Sequence, residues 1–560
     1  MKVVCLLYKL LKQMKTLKRL IMVIMALGLA IPIQSQTLAF PGCEGWGRFT
    51  SGGRMIDSRG AKVYYVTRLD DSDEEGTFRW ATTTGDDTPR TVLFKVAGTI
   101  YLTKNVTVKP NTTIAGQTAP GGGICLAGYR VKLRSNTILR YLRFRAGDLP
   151  NRSMSPLGVE NVQNIVIDHC SFSWSMEENL TLYDNKYTTT QWCIFAEGLY
   201  CSKNSKGARA YGAQWGGERS TMHHCLFAHN VSRSPRFNGV RTENHDREAV
   251  NEFINNVIFN WGSVKAIYGG ENYIDNSGID PIGSKPHYNR VYMINNYYRP
   301  GPATKAVTAN QRYWCSASGN DINFVGQWYL SGNKFELSSK WAPDSKIWKN
   351  KALKKVNADN YYGFASNNPA RAMDFYRIDP SQTLADKALL KEPVAGDLSY
   401  TTYEGADEAF RNVVTKAGAS LPRYDENDSR ILAEAAGLCD PQFQGQEIPY
   451  KDKNGVNRIA KPALGVINSP YDITLQSHDD FVALDEATKT KIHVICYPSL
   501  KMADGEQTVV DTDGDGLPDA YETKKGLNPN DASDGMALTK SGYSNLEIFL
   551  NAVADGKITY

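Results

Sequence analysis

The middle of the chain repeats, and that repeat constrains the fold more than any other feature. Short runs of mixed apolar and polar residues recur: NTTIAG from Asn111, NTILRYLRFR from Asn136, NIVIDHCSFSW from Asn164, TTQWCIFAE from Thr189, STMHHCLFAHN from Ser220, EFINNVIFNWG from Glu252 and VYMINNYYR from Val291. Each is rich in β-branched and aromatic residues, which suit strands, and Asn, Asp, Gly and Ser fill the gaps. The doublets His223-His224, Asn255-Asn256 and Asn295-Asn296 occupy the same place in their runs. Polar side chains repeating at one position of each unit suggest a stacked ladder, as in a parallel β-helix. A β-sandwich or a propeller competes, but neither accounts for the irregular period. A solenoid accepts insertions between its strands as loops on one face. With 41% hydrophobic and 22% charged residues, wholesale disorder is excluded. The scarcity of Ala-Leu-Glu-Lys runs argues against a helical bundle.

The N-terminus reads as an address. Residues 2–19 carry Lys2, Lys9, Lys12, Lys15, Lys18 and Arg19 without an acid, followed by the apolar stretch Leu20–Ile33 and then Gln34-Ser35-Gln36. This is the pattern of a signal peptide over 1–35, with Met14 as an alternative start. The apolar stretch is too short for a comfortable membrane span, and no other run approaches that length, so the expectation is export, to a secreted, periplasmic or cell-surface location, with no stable span after cleavage. An uncleaved anchor is the alternative. Cleavage changes the net charge from +5 to −1 and removes Cys5. Residues 504–560 hold a net −7, leaving about +6 on the body, an excess that suits either a polyanion, such as an acidic polysaccharide or nucleic acid, or a solvated surface of no consequence. No basic run or basic helix supports nucleic-acid binding. Nine cysteines then remain, without a CxxC. Cys170, Cys193 and Cys225, in apolar runs, read as buried free thiols, and one unassigned disulfide stays open.

After about Leu330 the rhythm weakens. Ala406–Ala417 and Asp428–Gly437 read as helices. The resulting organisation is a solenoid over 36–440, a connecting region over 441–503 and an acidic module over 504–560.

Several ordered motifs carry a family likeness. AFPGCEGWGRFTSGGR (Ala39–Arg54), VYYVTRLDD, PRTVLFKVAGTI and TTIAGQTAPGGGI (Thr112–Ile124) come first. IVIDHCSFSWSMEEN, TTQWCIFAEGL, KGARAYGAQWGG, HHCLFAHNVSRSPRFNG and NNVIFNWG follow. From roughly Thr37 to Gly437 the chain resembles a bacterial branch of polysaccharide lyase family 1, the pectate lyases. The resemblance implies an all-β, right-handed parallel β-helix with loops and a few helices. It also implies calcium-assisted β-elimination of a 1,4-linked galacturonan, giving 4,5-unsaturated uronate ends. Such a reaction needs a base for the proton α to the carboxylate, neutralisation of the developing charge and protonation of the leaving oxygen.

By resemblance, Arg233 in Arg233-Ser234-Pro235-Arg236 is the proton-abstracting base, although a free guanidinium, with a pKa above about 12, is a poor one. Arg236 follows at an offset suited to a substrate oxygen or carboxylate. Lys206 matches a substrate-contacting lysine, and Arg209 stands where this branch commonly has His. Asp148, Glu177 and Glu178 are the candidates for a groove calcium, which needs clustered oxygens. Asp168 reads as structural.

The tail has its own pattern. Asp511, Asp513, Asp515, Asp519 and Glu522 fall at positions 1, 3, 5, 9 and 12 of a loop with Gly516 at position 6. With the Leu517 carbonyl they make a calcium-loop template, closer to thrombospondin type 3 and dockerin-like modules than to a full EF-hand. Ser541–Val553 reads as a closing helix. The expected protein is a monomeric lyase acting on pectate or pectin. A catalytically silent polysaccharide-binding β-helix is the main alternative. A hydrolase ranks last, because Asp70-Asp71 and Asp86-Asp87 lie in early turns and the later strands hold no Asp cluster.

Overall fold

A computed structural model describes residues 36–55, 58–148, 153–239, 248–262, 266–271, 288–305, 315–317, 326–341, 354, 356–363, 389–473, 502 and 508–558. The signal-peptide reading and Cys5 lie outside these residues, as does most of 474–507.

Strands of five residues or so wind into three parallel sheets of ten, nine and eight strands among the described residues. Consecutive strands along the chain fall in different sheets, and every third or so returns to pair in parallel with the one a coil earlier, such as Gln163–Asp168 with Asn185–Gln191 and then Gly217–His223. The architecture is the expected right-handed parallel β-helix. Inward positions are apolar because they meet side chains from all three sheets: Leu180, Ala213, Trp215 and Phe237 are fully buried, as are Ile167, Met222 and Phe253. Like residues stack coil on coil. Phe144, Phe172, Phe195 and Phe227 form a column with centroids 4.9–5.2 Å apart.

The doublets mark one tight corner. Tyr141, His169, Trp192, His224, Asn255 and Asn295 all have φ between 49° and 56°, the left-handed region that Asn tolerates and that turns the chain sharply from one sheet to the next. Stacking eases the crowding of the larger side chains, with Trp192 and His224 4.4 Å apart. One residue further on, Asn256, Asn296, Asn333 and Asn360 point inward. The Asn256 amide N–H donates to Asn296 Oδ1 at 2.8 Å, and that of Asn296 donates to Asn333 Oδ1 at 3.1 Å. The ladder thus satisfies backbone groups where the sheet hydrogen bonds lapse. Cys170, Cys193 and Cys225 take this same inward position in earlier coils, buried and free as expected.

The glycine-rich Ala39–Arg54 segment is a strap across the ten-stranded sheet. The Gly47, Gly53 and Trp46 amides donate to the hydroxyls of Thr189, Thr113 and Thr221 at 2.9, 2.9 and 3.0 Å. A Cβ on Gly47 would meet the backbone of Ile165 and Thr189, so only glycine lets the strap lie this close.

Two helices cover the nine-stranded sheet: α1, Ala406–Lys416, and α2, Glu426–Ala436, each within two residues of its sequence reading. Their apolar faces pack on Ile194, Leu226, Val257 and Tyr297. Asp425, the N-cap of α2, and Asp428 receive the buried guanidinium groups of Arg143 and Arg145 at 2.7–3.4 Å. Beyond α2, a hairpin pairs Ile448–Lys451 with Asn457–Ala460, and Ile467 and Tyr471 pack on Trp174 and Leu199.

Candidate functional site

The charged face of the molecule is on the eight-stranded sheet. In one register row Thr181, Gln214, Arg236 and Tyr268 lie side by side, and at the strand starts Glu178 pairs with Tyr211, which bridges to Ser232. Arg233 follows Ser232 with φ 61°, a corner that throws its side chain back over this face.

Arg233 is the hub. Its guanidinium lies 4.1 Å from the Tyr211 ring centre, donates from Nε to the Tyr268 hydroxyl at 3.0 Å, and reaches Gln214 Oε1 at 3.3 Å. It also forms a short ion pair with Glu178. Burial would weaken its hold on the proton, but the Glu178 carboxylate and the Tyr268 and Tyr211 hydroxyls outweigh that and raise its pKa above the ordinary guanidinium value. The resting group is a fixed cation. Tyr211 is shared: Arg209 donates to its hydroxyl at 3.0 Å. Glu177 sits between Lys206, at 3.3 Å, and Arg209, at 3.7 Å. Tyr268 is shared in the same way, with Arg236 5.6 Å from its ring centre and paired to the buried Glu271 at 2.9 Å. Lys206, Arg209, Arg233 and Arg236 thus form one connected set, with Lys206 the most exposed at 62%.

The expected groove-calcium set does not assemble. Asp148, Glu177 and Glu178 form no three-carboxylate group among the described residues. Glu177 and Glu178 are each taken by the cations above. Asp148 is buried elsewhere, accepting from the Ser202 and Ser469 hydroxyls at 3.1 and 2.9 Å, and burial raises its pKa. Asp168 is structural as read: fully buried, it accepts from Arg140, His169 and Gln191 at 2.7–2.8 Å.

No protein-family model matches the chain. Among curated proteins, the probable pectate lyase C of Emericella nidulans is 30% identical over 521 residues, 92% of this chain and 93% of the relative. That of Aspergillus fumigatus is 30% identical over 524 residues, 92% and 94%. The chain belongs to the pectate lyase family. By that membership it is a polysaccharide lyase. Solved structures of a thermostable pectate lyase and of the major cedar pollen allergen superpose with TM-scores of 0.42 and 0.40, at 14% and 16% identity, over 67% of the chain and 96% and 92% of theirs. Those scores add nothing to the fold, which rests on the strand ladders above.

In this pectate lyase family member the sequence reading overlooked Tyr211, Tyr268, Gln214 and Glu271. Tyr211 stands within the KGARAYGAQWGG motif, and coil-to-coil alignment of the strands would have placed it opposite Glu178. Tyr268 and Glu271 follow a stretch with no motif.

The C-terminal acids do converge. Asp511, Asp513 and Asp515 form one group of carboxylates within 4.8 Å, and Asp515, Glu522 and Asp534 form a second. Burial and then the neighbouring acids push Asp515 up to about 6 and Glu522 up to about 7. Such a set fits a hard cation with oxygen ligands. Two residues differ from the loop template. Asp534 joins the set, from outside the motif. Asp519 instead accepts from the Thr512 amide and hydroxyl at 2.8 and 2.7 Å, at the start of a short helix, Asp519–Lys525. The Leu517 side chain is fully buried.

Proposed function

We propose that the chain is an exported pectate lyase that cleaves 1,4-linked galacturonan by β-elimination. The observation that carries this reading is the connected set of Lys206, Arg209, Arg233 and Arg236 on one sheet face, matched to the carboxylates of a polyuronate. The centre of that set is Arg233, which touches Tyr211, Tyr268, Gln214 and Glu178. With substrate bound, a uronate carboxylate competes with Glu178 for the cations, and Arg233, once released from Glu178 and deprotonated to solvent, is the group placed to take the proton α to it. The electron pair left behind forms the double bond between C4 and C5, and the glycosidic oxygen leaves from C4 and is protonated. Because Glu178 strengthens the hold of Arg233 on its own proton, base action requires that this ion pair be broken first. Lys206, Arg209 and Arg236 hold carboxylates and stabilise the charge that develops.

Among the described residues Glu177, Glu178 and Glu271 are each paired with a cation and Asp148 lies apart, so they offer no ready cluster for a resident ion and no step is routed through one. Calcium assistance belongs to the proposal in another form, with any ion arriving on the substrate's own carboxylates.

The test is ultraviolet absorbance of purified protein on polygalacturonate, with added calcium and then with a chelator. A rise from the conjugated double bond is expected. New reducing ends without that rise would mean hydrolysis, and no product on pectate or pectin would leave a binding solenoid.

A further inference from the structure

The C-terminal unit closes against the first coils of the solenoid, and its acids lie at that junction. Leu517 packs with Leu93 and Ala115 of the ten-stranded sheet and with Leu546, Phe549, Leu550 and Val553 of the last helix, Asn545–Ala554. The Tyr65 hydroxyl makes a short hydrogen bond to Asp511. Arg54, at the end of the strap, pairs with Glu547 at 2.8 Å, the residue that completes the capping box of that helix.

Within this junction one group has no protein partner of its own. Glu522 is fully buried, yet neither of its carboxylate oxygens receives a hydrogen bond. Asp515, 3% exposed, keeps Oδ2 unpartnered, and Asp534 keeps Oδ1 unpartnered. A Cβ on Gly535 would collide with the Asp515 carboxylate, so glycine is what lets the second segment close over it. A buried carboxylate without donors is costly, and several side by side more so. Among the described residues no lysine or arginine forms an ion pair with Asp515, Glu522 or Asp534. A cation answers all the orphaned oxygens at once, and an all-carboxylate set selects a hard one.

We propose that Asp511, Asp513, Asp515, Glu522 and Asp534 bind Ca2+ at a structural centre that clamps the C-terminal unit onto the N-terminal end of the β-helix. Asp519 is outside the ligand set. Because the centre is remote in sequence and in contacts from Arg233, this inference stands independently of the lyase reading.

The test uses the full chain, stripped with a chelator and titrated with Ca2+ by calorimetry, with hydrogen exchange followed in strands Lys62–Val66 and Arg90–Phe94. Binding is expected, with slower exchange in those strands, while the distant strand Tyr288–Ile294 is unchanged. Glu522→Gln and Asp534→Asn should each weaken binding by about tenfold or more. Asp519→Asn should leave it within about twofold to threefold. Glu522→Gln removes a buried charge, so the variant keeps its fold, and the distant strand's exchange checks this. Absence of binding overturns the centre. Unchanged affinity in Asp534→Asn overturns the ligand set. Binding without protection of the first coils overturns the clamp, and equal affinity for Mg2+ overturns the assignment to the larger ion.

Discussion

At the scale of single residues, the contact between Arg233 and Glu178 decides most. Arg233→Lys keeps a charge but loses the planar fork that reaches Glu178, Gln214 and Tyr268 together. A fall in kcat of roughly 100- to 1,000-fold is expected, read from the absorbance assay on polygalacturonate, with little change in melting temperature. Turnover near the parent's rate would sink the assignment of Arg233. Glu178 raises the Arg233 pKa, so Glu178→Gln should lower it. The expected outcome is that the limb of the pH–rate profile that rises as Arg233 loses its proton moves to lower pH. Asp168 shows the opposite use of a carboxylate. Burial alone would raise its pKa, but His169 and Arg140 hold it well below the usual carboxylate range. A depressed carboxyl contributes stability that is present above its unfolded pKa of about 3.9 and fades as pH falls below that. Denaturant midpoints of the parent and of Asp168→Asn should therefore differ near neutral pH and converge in stronger acid.

At the scale of elements, α2 is held by charge as well as by apolar area. Asp428 is fully buried and receives Arg145 at 3.0 Å and the Ser171 hydroxyl at 2.7 Å. Asp428→Ala leaves two buried guanidinium groups short of a partner and should cost about 3–5 kcal/mol in equilibrium unfolding. The existence of α1 and α2 was legible because their apolar residues keep a helical period. Their buried ion pairs were not, since Arg143 and Asp425 are partnered across nearly three hundred residues and nothing local marks either as buried. The same division holds at the groove. Arg233, Arg236 and Lys206 stand in motifs with a family likeness. Tyr268 has no such surroundings, and only the register opposite Arg236 brings it to the site. In the tail, spacing alone identified Asp511, Asp513, Asp515 and Glu522. It could not show that Asp519 accepts from the Thr512 amide and hydroxyl, and it could not reach Asp534, which closes in from a second segment.

At the scale of the whole molecule, repetition is what made the fold legible. The doublets reported a corner that every coil must turn, and a ladder is visible in sequence because it puts like residues at like places. What repetition hides is the end of the solenoid, where the pattern stops and stability depends on whatever covers the last open edge. Here the strap and the C-terminal unit meet at the same end, through Arg54 and Glu547. The row of Cys170, Cys193 and Cys225 carries a practical consequence. These thiols are wholly enclosed, and burial pushes that of Cys170 up to about 12 and that of Cys193 well above its ordinary value. A thiolate is the reactive form, so the folded coils shield Cys170 and Cys193 twice, by access and by protonation, and Cys225 by access. A chromogenic disulfide reagent should label them only as fast as the middle coils open, which makes the column a built-in clock for the unwinding of the solenoid.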